Sequence, residues 1–202
     1  MLQENENDGW ERFFDQYSRL IYATSCKAGL RPVEAEDVVQ EVTLRVMRYI
    51  GGFEYDAVNR RFKPWLLRIV RSCIVNEVRR RDKAKALSDD PNSEAAKDQS
   101  TAEVGLATVW DEEWERNLFT LALERVRREA APKQYQLFDL YVLQEQPARE
   151  IARKLKVSIA QVYMAKKRVG DRVLRVAKQL ERESEQELAG LRVATNRETP
   201  AG

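Results

Sequence analysis

The stretch AREIARKLKVSIAQVYMAKKRV, residues 148–169, decides the fold. Apolar residues recur at helical spacing on both sides of a short break, which reads as two helices around a tight turn. Ile151, Ala152 and Leu155 face inward on the first helix, and Val157 plugs the turn. Ser158 caps the second helix through its hydroxyl. The buried stripe then continues through Val162, Ala165, Val169, Val173 and Val176. A small residue at Ala152 lets the two helices cross closely. Lys156 stands where such a turn usually has glycine, so a left-handed backbone is expected there, at a cost of ~1 kcal/mol. The face opposite the stripe carries Ala160, Tyr163, Met164, Lys167 and Arg168, with Gln161 at its margin. In a helix-turn-helix these side chains reach base edges and phosphates in the major groove. An ordinary helical hairpin with a solvated basic face is the plainer account of the same residues.

Outward from this motif the pattern stays helical. After Pro132 a helix over KQYQLFDLYVLQ leads into the motif, preceded by WDEEWERNLFTLALERVRREA with Trp110, Trp114, Leu118, Leu121 and Val126 at helical spacing. Helix is expected to continue to about Glu187, with a frayed tail beyond. Residues 10–29 place Trp10, Phe13, Phe14, Tyr17, Leu20, Ile21 and Ala28 at the same period and stop at Gly29. Pro32 opens a second helix, with Glu34, Glu36 and Asp37 near the positive end of its dipole and a stripe of Ala35, Val38, Val39, Val42, Val46 and Ile50. Pro64 opens a third, with Trp65, Leu66, Ile69, Val70, Cys73, Ile74 and Val78 inward. From about Asp82 to Thr108 the residues are small, polar and charged, which reads as a flexible linker. The expectation is an all-α chain: two small helical modules joined by that linker, the C-terminal one a helix-turn-helix.

Composition narrows the chemistry. Among 202 residues there is no histidine, and Cys26 and Cys73 each stand alone. A zinc site or histidine-based triad therefore cannot be assembled, and both cysteines read as small core residues. No Gly-rich phosphate loop is present. An enzyme is not expected, nor a cofactor or metal. The acidic N-terminus lacks the layout of a signal peptide, and no apolar run approaches the ~20 residues of a membrane span. A cytoplasmic protein without membrane insertion is expected. The formal net charge is only +2, which leaves open how such a chain would hold DNA.

Two further surfaces stand out. On the second helix, removing the inward stripe leaves Asp37, Gln40, Glu41, Leu44, Arg45 and Arg48. That mixture suits a protein partner better than DNA, although a solvated amphipathic helix explains it equally. The third helix presents Arg68, Arg71, Ser72, Asn76, Arg79 and Arg80, after a connection bearing Arg60, Arg61, Phe62 and Lys63. Basic residues interleaved with aromatics suit phosphate contact and stacking on unpaired bases. A basic amphipathic helix is the alternative.

Taken in order, AEDVVQEVTLRV, FKPWLLRIVRSCIVNEVRRR, a variable linker and EIARKLKVSIAQVYMAKKRV resemble the bacterial RNA polymerase sigma factors of the extracytoplasmic-function (ECF) class of the sigma-70 family. The resemblance runs from about Trp10 to Leu180. It implies sigma region 2 over 8–82, a linker over 83–108, the region 4 helix-turn-helix over 109–182 and a tail over 183–202. Asp37, Gln40, Glu41, Leu44, Arg45 and Arg48 fall where the family grips the coiled coil of the polymerase's largest subunit. Arg60, Arg61, Phe62, Lys63, Arg68, Arg71, Ser72, Asn76, Arg79 and Arg80 fall where it melts and reads the −10 element. Ser158, Ala160, Gln161, Tyr163, Met164, Lys167 and Arg168 fall where it reads the −35 element as duplex. Two positions depart from the family: Ser72 stands where asparagine is common and Asn76 where aspartate is common.

The resemblance thus implies RNA polymerase core enzyme as a partner, with the C-terminal module meeting the β flap. Promoter DNA is the second partner, and an anti-sigma protein is a common family companion. A sigma factor would direct promoter-specific initiation. Two other readings use the same residues: a stand-alone helix-turn-helix regulator that binds duplex without polymerase, and a helical adaptor with no nucleic-acid role.

Overall fold

A computed structural model describes residues 2–49, 62–87 and 99–195, with side chains described over 10–49, 62–83 and 105–184. Among the described residues the regular structure is entirely helical: α1 (Leu2–Lys27), α2 (Pro32–Tyr49), α3 (Phe62–Leu87), α4 (Gln99–Glu129), α5 (Pro132–Phe138), a π-helical turn (Asp139–Leu143), α6 (Ala148–Leu155) and α7 (Ile159–Thr195). The chain divides into two units, Met1–Asn117 with Ser184–Gly202, and Leu118–Glu183.

The first unit packs α1 on α2 and α2 on α3. Its core joins Phe13, Tyr17, Leu20 and Ile21 of α1 to Val38, Val42 and Val46 of α2 and Leu66, Val70, Cys73 and Ile74 of α3. Gly29 lets the chain leave α1, because its φ of +88° lies where a side chain is strained. Trp65, Ile69 and Val78, expected inward, are only partly buried. Burial raises the Cys73 thiol to about 11, which fits a structural cysteine.

The start of α2 is fixed by charge. Glu34, 4% exposed, accepts the backbone N–H of Arg31 at 2.8 Å and takes two bonds from its guanidinium at 3.0 and 2.8 Å. Those guanidinium bonds, with the backbone N–H and the charges of Arg31 and Arg81, hold its carboxyl below the ordinary carboxylate range against the opposing effect of burial. The folded chain thus binds fewer protons at this group than the unfolded chain. Its stabilisation is complete above the ordinary glutamate value of about 4.3 and declines as pH falls through the lower folded value. Glu34→Gln is expected to lower the urea midpoint at neutral pH and to flatten its fall below about pH 4.3, measured by urea titrations from pH 3 to 7.

The first correction concerns α4. The expected linker over 83–108 gives way to helix at both ends, since α3 runs to Leu87 and α4 begins at Gln99. Trp110 and Trp114, counted with the second module in sequence, belong to the first unit. They are 1% and 3% exposed. Trp114 stacks on Tyr17 at 5.8 Å and meets Phe62 at 6.0 Å. The helical period of α4 is unbroken from Trp110 to Val126, so spacing alone could not tell which residues serve which core.

The second unit has two clusters. Ala122, Val126, Phe138, Val169, Val173 and Val176 form one. Leu137, Ala148, Ile151, Ala152, Val162 and Ala165 form the other, with Leu155 and Val157 packed against it. Pro132 begins α5 as expected.

Candidate nucleic-acid and partner interfaces

The helix-turn-helix is assembled from local rules. Lys156 takes the left-handed conformation (φ 52°, ψ 48°) and ends α6. The N–H of Val157 returns to the carbonyl of Ala152 at 3.0 Å. At the start of α7 the Ser158 hydroxyl accepts the N–H of Gln161 at 3.2 Å, and the Gln161 side chain accepts the N–H of Ser158 at 2.8 Å. This reciprocal capping box fixes the entry of α7. It also commits one polar atom of each residue to the helix start.

Ser158, Ala160, Gln161, Tyr163, Met164, Lys167 and Arg168 are all exposed on this one face. Tyr163 and Met164 are about half exposed, at 51% and 48%. Two residues absent from the sequence reading support them. Tyr141, on the π-helical turn, meets Tyr163 edge to face at 5.6 Å, and Lys166 lies over the Tyr141 ring at 5.5 Å. Lys166 was legible as the residue three beyond Tyr163 on the same helix face; Tyr141 was not, because only the fold brings it near.

On α2, Asp37, Gln40, Glu41, Leu44 and Arg48 are exposed and Arg45 is partly so. The apolar component is larger than expected. Val33 and Met47 are exposed on the same side as Leu44, which is 58% exposed. Both follow from Leu44 by helical spacing, eleven residues before and three after.

The α3 residues meet this helix along a seam. Arg45 bonds Glu41 at 2.6 Å and the Ser72 hydroxyl at 3.0 Å. Arg80 bonds Asp37 at 2.9 Å and Glu77 at 2.8 Å. Arg68, Ser72, Asn76, Arg79 and Arg80 are exposed, and Arg71 is partly buried. Pro64, Leu67, Arg68 and Arg71 face Leu106 and Ala107 of α4 across a cleft of about 220 Å³. Lys63 pairs with Asp111 at 2.6 Å and lies over the Trp114 ring at 5.6 Å. Arg60 and Arg61 lie outside the described residues.

Phe62 requires correction. Expected as a stacking platform for unpaired bases, it is wholly buried. Its ring meets Tyr17 at 5.1 Å and Trp65 at 6.0 Å. The basic neighbours suggested a surface residue, but its aromatic partners from α1 and α4 are far away in sequence.

The described residues thus present two distinct surfaces, a mixed polar–apolar face on α2 and an exposed basic face on the helix-turn-helix. Residues 13–84 match the sigma-70 region 2 family. The ECF RNA polymerase sigma factor BldN of Streptomyces coelicolor is 35% identical over 74 residues, covering 37% of this chain and 27% of that protein. The chain therefore matches about a quarter of the length of that curated relative. No solved structure matches the chain. Over residues 13–84 the chain is thus similar to region 2 of the sigma-70 family, and the relative that it matches is of the ECF class. No helix among the described residues is long and apolar enough to cross a membrane.

Proposed function

We propose that the chain binds RNA polymerase core enzyme and directs it to promoters, reading a melted −10 element with the first unit and a duplex −35 element with the second. The observation that carries this reading is a region 2 match in one unit combined with an exposed Tyr163, Met164, Lys167 and Arg168 face in the other. On α2, Asp37, Gln40, Glu41, Arg45 and Arg48 flank the exposed Val33, Leu44 and Met47. This surface suits the coiled coil of the polymerase's largest subunit. The second unit meets the β flap. An anti-sigma protein would mask the same surfaces, and the site of action is the cytoplasm.

The low net charge of +2 fits this role. Non-specific DNA affinity grows with the number of phosphates neutralised, so the free chain is a weak binder. Held on polymerase, two weak readers act at high effective concentration on elements of fixed spacing. Capture of unpaired bases then offsets the few kcal/mol of unstacking that melting costs. No covalent chemistry and no cofactor are needed.

The test is run-off transcription with core enzyme of the native host, with start sites mapped. Specific starts that require the chain support the reading; none with native core overturns it. Gln40→Ala with Glu41→Ala is expected to weaken core binding about tenfold, with unchanged helical circular dichroism, because both side chains are exposed. Unchanged core affinity would move the docking surface elsewhere.

A further inference from the structure

Tyr141 reaches the flank of α7 from outside the helix-turn-helix itself. Its backbone lies in the π-helical turn Asp139–Leu143, whose wide winding is closed by the N–H of Gln144 on the carbonyl of Asp139 at 2.9 Å. The Gln144 amide donates to the Asp139 carboxylate at 2.7 Å, and the Gln146 N–H reaches the Leu140 carbonyl at 2.9 Å. The chain after the turn is thereby tied back to it, with Glu145 in the left-handed region at φ 53°. Tyr141 packs against the apolar cluster that holds Leu137, Ile151 and Val162. Its ring also meets Tyr163 edge to face at 5.6 Å, with 82° between the planes. Lys166 follows Tyr163 by three residues on the same flank of α7 and lies over the Tyr141 ring at 5.5 Å.

An exposed tyrosine with no neighbour samples several rotamers, and ordering it on a ligand costs affinity. Tyr163 has a neighbour. Although it is 51% exposed, its ring leans on a side chain that an apolar cluster and a hydrogen-bonded turn already hold. Edge-to-face contact is an arrangement that the charge distribution of two aromatic rings favours, so it selects one rotamer of Tyr163 over the others. Lys166 is drawn to the face of the same Tyr141 ring, which keeps a cation on that flank. A hydroxyl, a ring and a cation held together beside a groove-entering helix suit contact with a base edge and the adjoining phosphate.

We propose that Tyr141 is a positioning residue for −35 recognition. It holds Tyr163 in its binding rotamer and keeps Lys166 beside it, so selectivity depends on a side chain outside the reading helix. The inference rests on the duplex-reading role proposed above for the second unit. Its effect passes through Tyr163, which separates it from the packing role of the other apolar residues in the turn.

The test uses the full chain on native core enzyme. The probes are a promoter fragment taken from the mapped starts and the same fragment with its −35 segment scrambled. The quantity read is the ratio of the two affinities, in which a general loss of DNA binding cancels. Tyr141→Leu keeps apolar volume in the turn and removes the ring, and the ratio is expected to fall about fivefold, the size of one aromatic contact. Tyr141→Phe keeps the ring and is expected to retain the wild-type ratio; a fall as large as that of Tyr141→Leu overturns the ring-based account. Tyr163→Leu is expected to lower the ratio at least as far as Tyr141→Leu. Residues that act through one contact are not additive, so the double leucine variant is expected within about twofold of Tyr163→Leu alone. Losses that multiply in the double variant overturn the positioning role, as does a Tyr141→Leu ratio equal to that of the wild type. Independently of any variant, ring-to-ring nuclear Overhauser contacts between Tyr141 and Tyr163 are expected in the free wild-type chain, and their absence overturns the arrangement. A wild-type chain that initiates but shows no preference for the intact −35 segment overturns the duplex-reading role, and this inference with it.

Discussion

Truncating Phe62 to alanine is expected to destabilise the first unit by about 3–5 kcal/mol, the cost usual for emptying a buried aromatic site. The ring is wholly buried and contacts Tyr17, Trp65 and Trp114, so its loss leaves a cavity among aromatic neighbours. The loss is read as a lowered denaturant midpoint by tryptophan fluorescence, since Trp114 reports directly on the site. Phe62→Leu separates packing from base stacking. A branched aliphatic side chain refills much of the space but offers no π-face. It is expected to recover most of the stability and to retain promoter opening with native core. Normal stability with lost opening would instead make Phe62 a base-stacking residue.

The second large effect is expected on α7. Replacing Lys167 and Arg168 together by alanine removes two exposed cations from the face proposed to read the −35 duplex. Binding of a −35 duplex promoter by the polymerase complex is expected to weaken about tenfold or more. Each lost phosphate contact also lowers the slope of log affinity against log salt by about 0.9. Two phosphate contacts predict a drop of ~1.8; one phosphate and one base contact predict half of that with relaxed sequence preference. Stability should be unaffected, because the buried apolar residues described on this helix are Val162, Ala165, Val169, Val173 and Val176. An unchanged footprint would place the reading face on another side of α7.

Features governed by near neighbours in the chain were legible in the sequence. The left-handed Lys156, the Ser158 cap, the proline starts at Pro32 and Pro132 and the valine stripe of α7 each follow from a residue and its surroundings within a turn or two. Ownership of Trp110 and Trp114 was not legible, because periodicity reports a face and not the body that face meets. Phe62 failed for a related reason. RRFK looks like solvated basic chain until Tyr17 and Trp114 arrive from distant segments. The seam between Asp37 and Arg80 was hidden too: the residues were assigned to separate partners, and only the packing of α2 on α3 brings them to 2.9 Å. Exposed pairs of this kind contribute little stability, so they leave those surfaces available to a stronger ligand.

The π-helical turn at Asp139–Leu143 makes its neighbourhood unforgiving of length changes. Tyr135, Phe138 and Val142 meet one apolar cluster, while Leu137, Leu140 and Tyr141 meet the other. The segment is therefore wedged between two cores, with a wide turn that holds one extra residue. The wide turn takes up that residue without changing the phase downstream, whereas one more residue inserted ahead of Tyr141 at ordinary α pitch would rotate everything downstream by about 100°. Tyr141 would swing off Tyr163, and apolar groups would trade places with polar ones. Evolution can therefore vary the identity of these residues far more freely than their number.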